Sequence, residues 1–244
     1  VCSSDLSTIP NSQMNPNDGW SAVNEIDIAP NNPDKVFAAT RGGLRVTNDG
    51  GQSWNTIRNG SFLEVDVSPD GNTVFAATAN ILFKSTDGGN NFSRVSQQDN
   101  NFPAGGFGRI EIAIAPSNPD YVYASVVSSR PNDKLVGIYR STNNGNQWSA
   151  IASSPQGNSL FDPFAHGPFS AQGVYDNAIA VSPYDKNHVF VGGVQFWSWR
   201  GEDDGSGQWS QISNSTKFYG SENQFTDPSY LHVDFHEIVF DTRS

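Results

Sequence analysis

The sequence predicts an all-β chain built from repeated four-stranded antiparallel sheets, and three observations carry that expectation. Turn formers are abundant, with 23 Gly and 14 Pro in 244 residues, while charged residues make up only 16%. That balance favours short strands and tight turns over long helices. A segment opening on an apolar or alternating run recurs four times, over residues 24–57, 63–95, 110–151 and 177–212. Each copy holds four strand-length runs separated by Gly, Asn, Asp or Pro.

The first run of each copy ends at a proline, over residues 25–30, 64–69, 111–116 and 178–183. The second is rich in β-branched and aromatic residues, over 36–40, 74–78, 122–126 and 189–193. Turn formers such as Asn31-Asn32-Pro33-Asp34 and Pro69-Asp70-Gly71-Asn72 join the two. The third run covers 43–47, 81–85, 137–141 and, less regularly, 195–199. The fourth begins at an aromatic: Trp54, Phe92, Trp148 or Trp209. One four-stranded sheet cannot bury both its faces, so the copies must stack. Radial stacking around an axis is the β-propeller solution, and a two-sheet sandwich would not repeat the same four-strand pattern four times.

Residues 230–244 contain His236 to Thr242, which repeats the opening pattern with Glu237 at the register of Glu25, Glu64 and Glu111. The expected fold is therefore an incomplete β-propeller, four blades plus the first strand of a fifth. The unpaired edge this leaves implies a piece of a longer protein. At the other end, Val1 to Leu6 can be read codon by codon as a common sequencing adapter. These six residues are expected to be a scar, with the propeller over 7–244; a genuine terminal stretch is the alternative.

The net charge of -11 and only 14 Lys and Arg make a poor phosphate-neutralising surface, so nucleic acid is not an expected partner. No apolar run is long enough to span a bilayer as a helix. Cys2 is the only cysteine, which excludes an internal disulfide and a cysteine-based zinc site.

Three hairpin turns carry one motif. Thr47-Asn48-Asp49-Gly50-Gly51-Gln52-Ser53-Trp54, Ser85 to Phe92 and Ser141 to Trp148 follow the pattern Ser-x-Asp-x-Gly-x-x-Trp. The repeat resembles the Asp-box, or bacterial neuraminidase repeat, propellers. That group includes sialidases, xyloglucanase-type glycoside hydrolases, sortilin-like receptors and many secreted bacterial proteins. The fourth copy departs from the pattern, with an insertion from Gly201 to Gly207 and no clean box. The resemblance implies that the boxes are structural. Asp49, Asp87 and Asn143 would accept backbone N–H groups across the turn, Gly51, Gly89 and Gly145 would take the tight position, and Trp54, Phe92 and Trp148 would pack between blades.

Candidate functional residues lie at the starts of the first strands. Glu25, Glu64, Glu111 and Glu237 form either a ring of channel carboxylates or solvated strand starts. Asp176 and Asp234 each precede such a run. In an extended segment His232, Asp234 and His236 share one face, which either could hold a metal ion or position an acid and a base, or is a hydrogen-bonded channel lining. No metal or cofactor is expected. Phe161, Phe164 and His166 sit in a long aromatic loop that either borders a glycan by stacking or is packed. Phe107 to Glu111 only echoes the arginine motif of sialidases, and their arginine cluster cannot be placed. The expectation is a secreted or cell-surface propeller that binds glycan or protein and is not enzymatic by itself. The alternative is part of a glycoside hydrolase whose acid–base pair is split with further blades.

Overall fold

The computed structural model of the chain describes residues 19–95, 100–153, 163–166, 170–213 and 234–241. Four four-stranded sheets form, each a meander in which every strand pairs antiparallel with the next. The first holds β1 (Val23–Ile28), β2 (Val36–Thr40), β3 (Gly43–Thr47) and β4 (Asn55–Asn59), and the second β5 (Phe62–Val67), β6 (Val74–Thr78), β7 (Leu82–Ser85) and β8 (Ser93–Arg94). The third holds β9 (Phe107–Ile114), β10 (Val122–Ser128), β11 (Leu135–Ser141) and β12 (Ser149–Ser153). A two-stranded hairpin, β13 (Ala165–His166) with β14 (Ser170–Ala171), precedes the fourth sheet. That sheet holds β15 (Ala178–Val181), β16 (His188–Gly192), β17 (Phe196–Gly201) and β18 (Gly207–Gln211). No helix occurs among the described residues, and so none is long and apolar enough to cross a membrane.

Two compact units divide the chain between Val95 and Ser96. In the first, β2 and β6 are central strands covered on both faces, which is why their cores are the unbroken apolar runs Phe37-Ala38-Ala39 and Phe75-Ala76-Ala77. Phe37, Leu44 and Val46 of one sheet pack with Phe62, Val65 and Phe83 of the next. The polar seam is equally specific. Val67 N–H donates to Asp27 Oδ2 at 2.7 Å, Asn24 Nδ2 to the Phe62 carbonyl at 2.7 Å, and Lys35 Nζ to the Gly88 carbonyl at 2.6 Å.

Gly89 closes that seam. Its φ is +86° and a Cβ there would sit 2.5 Å from Phe37 Cε1. Gly89→Ala is therefore expected to destabilise this unit by about 1–3 kcal/mol, through backbone strain and overpacking of a buried ring. Chemical denaturation followed by hydrogen exchange of the β2 and β7 peptides checks this; unchanged protection would refute it.

In the second unit Tyr123, Leu135 and Ile138 of the third sheet pack against Val189, Val191 and Trp199 of the fourth. Here the insertion Gly201 to Gly207 finds its reason. Side chains at Gly201 or Gly207 would collide with the Trp199 indole, so the hairpin arm can lie flat on it only with glycine at both places. The arm delivers Asp203, whose Oδ1 accepts from Tyr121 Oη at 3.0 Å, Asn187 Nδ2 at 2.8 Å and Lys186 Nζ at 2.5 Å. Arg140 donates to the Glu202 and Asp203 carbonyls at 2.7 and 3.0 Å. Residues 234–241 lie on the opposite face of this sheet. Phe235 N–H donates to the Gly193 carbonyl at 3.1 Å, the Phe235 ring stacks on Phe196 at 5.1 Å, and Phe240 meets Phe190 edge-on at 5.4 Å. The first-strand pattern is thus placed against the fourth sheet, but without a ladder partner among the described residues.

Candidate functional site

The three motif turns share one hydrogen-bond pattern. In the first sheet Thr47 Oγ1 donates to Asp49 Oδ1 at 2.6 Å and accepts from Gly51 N–H at 2.9 Å, while Ser53 N–H donates to Asp49 Oδ1 at 2.9 Å. Ser85, Asp87, Gly89 and Asn91 repeat it, as do Ser141, Asn143, Gly145 and Gln147. The Ser53 and Thr47 hydroxyls hold the Asp49 carboxyl down to about 2, and Ser85 with Asn91 holds Asp87 lower still. These carboxylates are used within their own turns. The fourth sheet lacks the side-chain pattern yet keeps the backbone tie beneath it. Gly201 N–H reaches the Asn187 carbonyl at 3.0 Å, as Gly50 reaches Asp34 at 3.0 Å and Gly88 reaches Asn72 at 2.8 Å.

The chemistry gathers instead at the start of β15. The Gln172 carbonyl accepts N–H groups from Tyr175 and Asp176 at 2.8 and 2.7 Å, a tight turn that points Asp176 inward and leaves Tyr175 outside. Asp176 is fully buried, and neither carboxylate oxygen accepts a hydrogen bond from the described residues. His236 Nε2 stands 3.7 Å from Asp176 Oδ1, inside ion-pair range but beyond a hydrogen bond. Asp234 also interacts with Asp176, and two carboxylates can bond to each other only if one keeps a proton. Burial first, and the Asp234 carboxylate next, push the Asp176 carboxyl up to about 7 against the opposing charge of Arg109.

Arg109, on β9, is committed elsewhere. It forms a close ion pair with buried Glu111 and donates to the Val174 carbonyl at 3.5 Å. The rim is aromatic: the Tyr175 ring, 58% exposed, meets the His236 ring edge-on at 4.7 Å and 85°. Asp234 holds φ at +82°, a left-handed conformation that Asp tolerates better than most residues.

The structure brings together Asp176, Asp234, His236 and, through Arg109, Glu111. Glu237 is exposed on the same segment, whereas Glu25 is half-buried and Glu64 buried in the other unit. His166 falls on β13, paired with Ser170. Phe164 is corrected: its ring is fully buried in the apolar core, where a Cβ on Gly193 would meet it at 2.5 Å, so it offers no face to a sugar. His232 and Phe161 lie outside the described residues. Among the described residues no three His, Cys, Asp or Glu side chains form a metal cage. Tyr175 and the Arg109–Glu111 pair escaped sequence reasoning, because a lone aromatic in a loop carries no period.

No protein-family model matches the chain, and no curated protein sequence matches it. Among solved structures it is similar to the family 74 glycoside hydrolase xyloglucanase of Xanthomonas campestris, with a TM-score of 0.52, 20% identity, and coverage of 75% of this chain and 29% of that one. An auxiliary nutrient binding protein from Bacteroides thetaiotaomicron gives a TM-score of 0.52 at 12% identity, covering 79% of this chain and 47% of that one. The extracellular domain of a hybrid two-component system from the same organism gives 0.53 at 15% identity, covering 78% and 22%. The chain spans less than half the length of each. At such identities the likeness establishes the fold, an incomplete β-propeller of four-stranded antiparallel blades. An enzyme, a binding protein and the extracellular domain of a two-component system all share it, so function must be argued from the site.

Proposed function

We propose that the chain is part of a secreted or cell-surface Asp-box propeller that acts as a glycan-binding module, with its site at Tyr175, Asp176, Asp234 and His236. The observation that carries the reading is the Tyr175 side chain, 58% exposed and edge-on to the His236 ring, which stands 3.7 Å from the buried Asp176 carboxylate. An aromatic plane stacks on the apolar face of a pyranose while carboxylates accept its hydroxyl protons. The shared hydrogen-bond pattern of the Thr47, Ser85 and Ser141 turns supports the Asp-box assignment, and the extracellular placement follows from that group. Tyr175→Ala should weaken binding to a glycan array hit by about tenfold or more, near 1.4 kcal/mol, without moving the melting temperature. Full affinity in that variant would refute the site.

A second reading, part of a glycoside hydrolase, is favoured by one observation. A carboxyl pushed up to about 7 is still about half protonated at neutral pH, which lets it serve as a general acid. Release of reducing ends from a bound glycan, abolished by Asp176→Asn, would put this reading in place of the first.

A further inference from the structure

We propose that the cluster of Asp176, Asp234 and His236 receives a primary ammonium group, carried by an amino sugar; this rests on the glycan-binding reading above and specifies its ligand. The cluster is rich in acceptors. Asp176 is fully buried with both oxygens unpartnered among the described residues, and Oδ1 faces the His236 side chain, which is half exposed. Asp234 adds a second carboxylate beside it. Buried acceptors without donors are costly, and a ligand that completes them recovers that cost.

The chemistry of the donors decides the class. An ammonium group carries three donors and no acceptor, which suits two carboxylates facing each other. A sugar hydroxyl brings one donor and no charge to balance the pair's negative charge, and a sugar carboxylate would be repelled. The nearest internal cation does not fill the role, since Arg109 is held by Glu111 and the Val174 carbonyl. The exposed Tyr175 ring at the rim can cover the sugar ring or attract the cation with its face.

The groups facing Asp176 set the pH behaviour. Arg109 and Glu111 come from β9, Asp234 and His236 from residues 234–241, and Tyr175 from the adjoining turn. An arriving ammonium displaces the proton that burial and Asp234 hold on Asp176. Affinity should therefore rise toward about pH 7, with protons released on binding, and fall above it as the ligand's own amine loses its proton.

The test is calorimetry of the whole chain with the fully deacetylated disaccharide of chitin and with its acetylated parent, in about 0.15 M salt to screen surface charge. The free amine should bind about tenfold tighter or better, with an enthalpy that depends on the buffer's ionisation heat. Asp176→Asn, or Asp234→Asn if that variant does not fold, should erase the preference, whereas the charge-matched Glu202→Gln keeps it. Equal binding of the two sugars overturns the ammonium site and leaves the glycan-binding reading standing. Binding of neither overturns the ammonium site, and the glycan array with Tyr175→Ala then decides the glycan-binding reading separately. Thermal stabilisation by calcium chloride that is lost in Asp176→Asn, with no response to the amine, also overturns the proposal, in favour of a divalent cation.

Discussion

Replacing Trp199 by alanine is expected to destabilise the second unit by about 3–5 kcal/mol, the range for a fully buried large aromatic. Trp199 is 1% exposed and stands at the junction of the third and fourth sheets, its ring 6.2 Å from Tyr123 and tilted by 59°. The Arg140 guanidinium lies 5.7 Å over it. Removing the indole opens a cavity and also takes away the platform on which residues 201–207 rest. Asp203 then loses the support that holds it against Tyr121, Lys186 and Asn187, and Arg140 loses its two carbonyl acceptors on the same arm. The arm should open with the cavity, so limited proteolysis is expected to cut between Gly201 and Gly207 early in the variant. Because the chain divides into two units, one global transition is not assumed. Hydrogen exchange resolved on β11 and β16 peptides gives the local free energy. A loss below about 1 kcal/mol, with the arm still resistant, would show that the indole is not what supports it.

The same arm shows where sequence reasoning stopped. Strand phase was legible wherever a buried central run lay between turn formers: the expected second runs over 36–40 and 74–78 coincide with β2 and β6. In the fourth repeat the missing Asp-box suggested an irregular third strand ending at Trp199, whereas β17 runs on to Gly201 and pairs with β18 up to Gly207. What replaces the box is a set of contacts from Tyr121 and Arg140 of the third sheet to residues 202 and 203, and no local spacing announces contacts between repeats. The site follows the same division. Asp176, Asp234 and His236 were visible because carboxylates and imidazoles ahead of a strand break the apolar pattern. Phe164 was ambiguous because a loop aromatic reads alike whether it is packed or open, and only its burial against Gly173 and Gly193 decides. Glu111 was visible as a repeated register position, but its pairing with Arg109 separates it from Glu237, which is exposed at the same register. A repeat imposes one register on all its copies, while the neighbours that give each copy its chemistry are not repeated.

Asp176's contribution to the stability of the second unit is expected to fall as pH rises from about 4 to about 7, and Asp176→Asn should remove it, leaving the opposite and smaller rise that the lowered His188 imposes. The sign follows from proton counting. The Asp176 carboxyl titrates near 7 in the folded chain and near the ordinary carboxylate value of 3.8 when unfolded. Between those values the folded state holds a proton that the unfolded state has released, so raising the pH favours unfolding. Below 3.8 both states are protonated and above 7 both are ionised, so the dependence is confined to that window. Its limit is about 1.4 kcal/mol per pH unit, and the actual slope is smaller because Asp234 and His236 beside it are open to water. Asp203, held down to about 2 by Lys186 and Asn187, changes stability only below the window. Asp27 is also raised by burial, but it belongs to the first unit, so exchange must again be followed on blade-specific peptides. Asparagine keeps the shape of Asp176, cannot ionise, and offers Asp234 a donor where the wild type must retain a proton. Relative to wild type the variant should therefore gain stability steadily between about pH 4 and pH 7 and then hold constant. If the slope persists in Asp176→Asn, the proton resides on another group, and the buried carboxylate is not the acid of the cluster.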